Sequence, residues 1–251
     1  MVVYGINPVL EALRARRVTR LRVSARGDAR VDEILALASS QRVPVERVDA
    51  PALGRAARGG VHQGVVADVE EVRDYSVQEL VLPPDRLRQG DGHAAPLIVV
   101  LDGIEDPHNV GAILRTADAA GAWGVVRQSR HSAPLDGAVG KASAGALAHV
   151  RIATVVNVAR AIEELKETNV WTVGLAGDAA DVYTDVDWTP PTAIVLGAEG
   201  TGLRRLVRDR CDRLVTIPML GAVGSLNVSV AAGVVLYEAV RQRKGAGNGK
   251  C

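Results

Sequence analysis

The chain has 251 residues, 47% apolar and 24% charged, with a formal net charge of +1. Such proportions belong to a globular protein and exclude disordered or collagen-like chains. With two cysteines, Cys211 and Cys251, neither a disulfide framework nor a cysteine-based zinc site is available.

Apolar runs such as residues 97–101 and 234–236 fall far short of the roughly 20 residues that a membrane span needs. Residues 1–8 lack the basic-then-apolar order of a signal peptide. The expectation is a soluble cytoplasmic protein. Charge is unevenly spread: residues 1–30 carry seven arginines (Arg14, Arg16, Arg17, Arg20, Arg22, Arg26, Arg30) against Glu11 and Asp28, a local net of +5. Arginine offers a planar fork suited to phosphate. Interleaved with apolar residues, Arg14, Arg17, Arg20 and Arg22 become candidate phosphate contacts; a genomic preference for arginine is the plainer alternative.

In chain order, Asn7-Pro8 reads as a helix N-cap and first helical position, with Val9, Leu10 and Leu13 on one apolar face. Residues 21–23 form a short strand with outward arginines, and apolar positions 31, 34, 35 and 38 have helical spacing. Strands follow at 43–48 and 64–69, the second introduced by Gly59-Gly60 and His62-Gln63-Gly64. Residues 1–75 are thus a small α/β module. Prolines and glycines make 76–95 a linker.

From 96 to 244 the predicted order is strand 97–101, helix 110–120, strand 123–127, strand 150–154, helix 157–168, then strands 170–175, 193–196 and 213–217, and a last helix 226–243. Uniformly apolar strands between amphipathic helices predict a parallel sheet covered on both faces. Residues 245–251 read as a flexible tail.

Three segments after strands carry the chemistry, because ligands in open α/β sheets bind beyond the carboxyl ends of strands. In the first, residues 101–122, Asn109 sits at a predicted helix N-cap and Arg115 about a turn and a half further on. Small residues (Gly111, Ala112, Ala117) permit close packing. A capped helix with a solvated arginine is the alternative reading. The second contains Gly197-Ala198-Glu199-Gly200-Thr201-Gly202. Its glycine spacing is not that of a dinucleotide fingerprint, and Glu199 would repel a pyrophosphate. A loop of free backbone N–H groups and one carboxylate suits a neutral or cationic ligand better. In the third, residues 217–233, Ser225 or Asn227 caps the last helix; together with Ser229 they exceed what capping alone requires. No nucleophile elbow occurs, and the five histidines show no metal-ligand spacing.

Taken together and in this order, the three segments resemble the motifs of the SpoU-type (TrmH-like) RNA ribose 2'-O-methyltransferases of the SPOUT superfamily. The matching stretches are 106–118, 196–203 and 217–231. Tyr4-Gly5-Ile6-Asn7-Pro8 and His62-Gln63-Gly64 resemble the small substrate-binding domain of members acting on a guanosine of 23S ribosomal RNA, and residues 237–243 match as well. The resemblance implies an α/β fold, a parallel sheet with a C-terminal trefoil knot, plus an N-terminal ribosomal-protein-like RNA-binding domain. It implies S-adenosylmethionine as cofactor, held by Leu196, Gly197, Ala198, Ile217, Met219, Ser225 and Leu226.

It also implies catalytic roles for Asn109, Arg115, Glu199 and Asn227, RNA contacts at Arg14, Arg17, Arg20 and Arg22, and a homodimer with the active site at the subunit interface. No metal is expected. A transfer-RNA guanosine is the rival substrate, and an antibiotic-resistance methyltransferase of ribosomal RNA another. A non-catalytic RNA-binding or ribosome-assembly factor is the rival class, and a Rossmann oxidoreductase a third reading.

Overall fold

A computed structural model describes residues 1–24, 29–70, 73–84, 95–135 and 137–247. Arg26, the middle of the predicted linker and the end of the tail therefore lie outside the described residues. By compactness the chain divides into two units. One is Met1–Val72 with Pro107–Arg115 and Ala133–His149; the other is Arg73–Asp106, Thr116–Ser132 and Val150–Cys251.

In the first unit, β1 (Val2–Tyr4), β2 (Val18–Ser24), β3 (Val45–Val48) and β4 (Val65–Val69) form a sheet in the order β1-β4-β2-β3. The β4 pairings are antiparallel and the β2–β3 pairing is parallel. Side-chain alternation along β4 divides the core. Val65, Ala67 and Val69 pack with α1 (Ile6–Arg14) and α2 (Ala29–Ser40), whereas Val66 packs with Leu53 and Ala57 at α3 (Ala50–Ala56).

Helix α1 starts one residue before the predicted cap. Gly5, at φ 94°, occupies the N-cap, and the Ile6 N–H donates to Gln63 Oε1 at 3.1 Å. A glycine without a capping side chain is thus completed by a glutamine 57 residues away from Ile6. His62 Nδ1 accepts from Gly64 N at 3.1 Å, so His62-Gln63-Gly64 has a structural role here.

The second unit is built on seven parallel strands in the order β7-β6-β5-β10-β8-β11-β9. In chain order these are β5 (Leu97–Asp102), β6 (Gly124–Gln128), β7 (Ile152–Val155), β8 (Trp171–Leu175), β9 (Asp181–Val182), β10 (Thr192–Gly197) and β11 (Arg213–Thr216). Strand β10 lies in register between two earlier strands, Ile194 opposite Val99 on one side and Val173 on the other. One face packs against α4 (Val77–Val81), α7 (Val158–Glu167) and α8 (Arg205–Arg210) through Leu80, Ile162, Leu165 and Val207. Helix α9 (Val228–Gly247) buries Ala232, Val235, Leu236 and Ala239 and contacts β10.

Helix α4 corrects the start of the predicted linker. Ser76 and Glu79 form a capping box, and Val77 and Leu80 are buried. Arg151 holds the segment down by donating to the carbonyls of Trp123, Glu79, Leu80 and Leu82. The prolines and glycines further along 76–95 mask a Ser-x-x-Glu signature that marks this helix start. The last helix also extends beyond its predicted end, to Gly247.

Helix α5 (Pro107–Ala119) begins at Pro107, so Asn109 is the third helical residue and not the N-cap. Proline at the first helical position needs no N–H partner, which accounts for the earlier start. A Cβ on Gly111 would come within 2.3 Å of the Ala142 Cβ in α6 (Gly137–Ala142). That close packing is the use made of the small residues in α5.

Candidate active site

The carboxyl ends of β8, β10 and β11 open into a cavity of about 1150 Å³, closed on another side by the start of α9. Its wall includes Leu196, Gly197, Ala198, Glu199, Ile217, Met219, Ser225, Leu226 and Asn227, so the structure gathers nine of the residues singled out in the sequence. Most of the remaining wall is main chain or apolar side chain. Gly197 is required by the loop's own fold: a Cβ there would fall 2.2 Å from the Gly202 carbonyl carbon and 2.3 Å from Leu203 N. The Ala198–Gly202 bridge closes the same turn, with Gly200 and Gly202 at φ 77° and 67°.

Asn227 serves two neighbours. Its Oδ1 accepts from Ser229 N at 2.9 Å and from Ser229 Oγ at 2.6 Å, capping α9. Its Nδ2 donates to Glu199 Oε1 at 2.5 Å. This bond joins the second and third sequence segments across the cavity wall. The helix cap is therefore Asn227, which settles the choice between it and Ser225.

Asn109 and Arg115 belong to the first unit and are not among the residues lining this cavity. Asn109 is buried, at 7% exposure. Arg115 is exposed and, among the described residues, has no ion-pair partner.

Sequence reasoning missed a polar cluster beside the glycine loop. Asp102, whose side chain is fully buried, ends β5; it accepts from Arg204 N at 2.8 Å and from Arg204 Nε at 2.6 Å. Arg204 also donates to Gln128 Oε1 at 2.7 Å. These bonds tie the loop after β10 to the ends of β5 and β6. Local patterns carry no signal for contacts between residues 102 positions apart, although Asp102 at the end of an apolar strand marks a polar group entering the core.

The arginines named as phosphate contacts all have partners. Arg14 pairs with Glu11 and Glu33, Arg20 with Glu46 at 3.8 Å, and Arg22 with Asp68. Arg17 donates to the carbonyls of Leu147 and Glu70. Arg22 is half-buried, not outward as predicted. Arg16, Arg42, Arg47, Arg55 and Arg58 are exposed and without partners among the described residues. Among those residues there is also no group of three or more metal-ligating side chains, and no helix long and apolar enough to cross a membrane.

A parallel α/β sheet with a glycine-lined cavity beyond its carboxyl ends is the class that the structure defines, and comparison with known proteins gives the family. The profile of the SpoU rRNA Methylase family matches residues 96–237, and that for RNA 2'-O ribose methyltransferase substrate binding matches residues 2–75. The chain belongs to the SpoU rRNA methylase family.

Among its relatives, a 23S rRNA (guanosine-2'-O-)-methyltransferase RlmB from Pseudomonas syringae pv. tomato is 45% identical over 244 residues, 96% of this chain and 95% of the relative. The RlmB of Escherichia coli K12 is 41% identical over 246 residues, 96% of this chain and 98% of the relative. The SpoU methyltransferase AviRb from Streptomyces viridochromogenes, crystallised with AdoMet, superposes with a TM-score of 0.77 at 28% identity. That alignment covers 98% of this chain and 91% of AviRb.

Proposed function

We propose that this protein transfers a methyl group from S-adenosylmethionine to the ribose 2'-hydroxyl of a guanosine in 23S ribosomal RNA. The observation that carries the reading is the convergence of the glycine loop, the segment after β11 and the Asn227 cap on one cavity. Near-complete coverage of the RlmB relatives supports the substrate, as does the match of residues 2–75 to a substrate-binding profile.

The cavity fits the cofactor chemically. Leu196, Gly197, Ala198, Ile217, Met219, Ser225 and Leu226 would hold it, mostly through main chain and apolar contacts. Loop geometry leaves no room for a side chain at Gly197. When bound, the cofactor supplies an activated methyl group on a sulfonium.

The protein's task is then to orient the ribose hydroxyl and assist the loss of its proton. Arg115 and Asn109 take this role. A guanidinium does not give up its proton in proteins, so Arg115 acts as a fixed charge that aligns the hydroxyl and its neighbouring phosphate. Glu199, held by Asn227, shapes the wall of the cofactor site.

We read residues 1–75 as the RNA-binding domain, 76–95 as the connection and 96–244 as the catalytic domain. The C-terminal segment is read as threaded through a trefoil knot, supported by the placement of β10 between β5 and β8. Arg14, Arg17, Arg20 and Arg22 contribute to a positive RNA-facing surface, together with Arg16, Arg42, Arg47, Arg55 and Arg58, which have no partner among the described residues. The active form is a cytoplasmic homodimer whose active site draws on both subunits. Exposed Leu220, Val223, Leu226, Val230 and Tyr237, on α9 and the loop before it, support this assembly.

The test is transfer of labelled methyl from S-adenosylmethionine to purified 23S rRNA and to total tRNA, side by side. Label in 23S rRNA is expected, and Arg115→Ala should abolish it while cofactor affinity persists. Label in tRNA alone would overturn the substrate.

A further inference from the structure

Among the described residues, three charged side chains line the cavity: Asp178, Glu199 and Arg208. Glu199 is engaged by Asn227. The other two form a separate pair, with Arg208 Nη1 donating to Asp178 Oδ1 at 2.7 Å. Asp178 lies just beyond the end of β8, and Arg208 is carried by α8.

Their side chains are 71% and 36% exposed, so the pair faces open space. It shares one hydrogen bond, and Arg208 makes no other side-chain hydrogen bond among the described residues. The Asp178 carboxylate also takes a hydrogen bond from its own backbone N–H; a second guanidinium nitrogen and the carboxylate's remaining lone pairs are left for a ligand. Each charge secures the other: the hydrogen bond from Arg208 holds the Asp178 carboxyl below its ordinary range, and Asp178 raises Arg208. An exposed ion pair adds little to stability, so these two groups can share their charges with a ligand at small cost to the fold.

We propose that Asp178 and Arg208 form the subsite for the zwitterionic amino-acid end of an S-adenosylmethionine-class ligand, Asp178 receiving the α-ammonium and Arg208 the α-carboxylate. The assignment rests on the cofactor reading above. Adenine and ribose carry no net charge and suit the main-chain and apolar part of the cavity. An amino-acid end carries one charge of each sign, as this pair does, and arginine's fork matches a carboxylate. A ligand ending in phosphate would meet Asp178 and Glu199 as well as Arg208, and two carboxylates disfavour it.

Calorimetric titration of the intact protein with S-adenosylhomocysteine and with methylthioadenosine, which lacks the amino-acid end, tests the subsite. Wild-type protein should prefer S-adenosylhomocysteine. Asp178→Asn and Arg208→Gln should each weaken that ligand about tenfold, the scale of one charge-assisted hydrogen bond. Methylthioadenosine affinity should stay unchanged, with melting temperatures verifying the fold. Equal loss for both ligands, or no loss for S-adenosylhomocysteine, would overturn the subsite. No binding of either ligand by wild type would overturn the cofactor reading and the subsite with it.

Discussion

Asp102 is the residue on which the glycine loop hangs. Its side chain is fully buried while Arg204 is 47% exposed, so the pair stands between a surface bridge and an interior one. Removing one partner of a buried pair strands a charge, at about 3–5 kcal/mol. Discounted for Arg204's exposure, Arg204→Ala should lower the unfolding free energy by about 2 kcal/mol. Adding Asp102→Asn should recover part of that loss in denaturant titrations; simple additivity of the two changes would deny the coupling.

Cys211 makes a second residue-scale prediction. Burial first, then the nearby Asp212 carboxylate, pushes its thiol up to about 12. A raised thiol pKa means less thiolate at a given pH, and the thiolate is the reactive form. In a Cys251→Ser background, Cys211 should resist alkylation at pH 8 until the protein is unfolded. Prompt labelling of the native protein would contradict this. Site chemistry is more legible in the sequence than these contacts are. Glu199, Asn227 and the glycines stand in ordered local patterns, whereas Asp102 with Arg204 and Asp178 with Arg208 meet only after folding.

Among the elements, α9 depends on its first cap. Asn227→Ala removes the acceptor for Ser229 N and the donor to Glu199, and should cost about 1 kcal/mol of stability. It should impair methyl transfer more than that loss explains, because Glu199 is freed as well; full activity would deny Asn227 its place in the site. Strands are legible from their apolar runs, as β5 and β10 illustrate, and helix α7 from its period. Helix starts are less so. Gly5 relies on distant Gln63, which no local N-cap search reads, whereas Asp106-Pro107 is a local signal that sets the start of α5 two residues ahead of Asn109.

At the scale of the whole molecule, electrostatics and apolar exposure make separate predictions. Binding of single-stranded RNA should grow less salt-dependent by about 0.7 in log–log slope for each phosphate that a substitution leaves without its arginine. Among the described residues Arg16 and Arg42 have no partner, whereas Arg20 and Arg22 must exchange Glu46 and Asp68 for phosphate. Arg16→Ala with Arg42→Ala should therefore change the slope more than Arg20→Ala with Arg22→Ala; the opposite order would restore the strand arginines as the main contacts. Composition displays the excess of arginine but not its pairing, which depends on Glu33, Glu46 and Asp68 arriving from other elements. Val230 and Tyr237 are each 52% exposed on α9. Val230→Glu should dissociate the proposed dimer in light-scattering measurements, and a monomeric wild type would remove that assembly.

The most direct measurement of the central claim is nucleoside analysis by mass spectrometry. Purified 23S rRNA from a strain lacking this activity would be incubated with the protein and S-adenosylmethionine, then digested completely. The account predicts one new product, 2'-O-methylguanosine. A methyl group on a base, or on the ribose of another nucleoside, would contradict it.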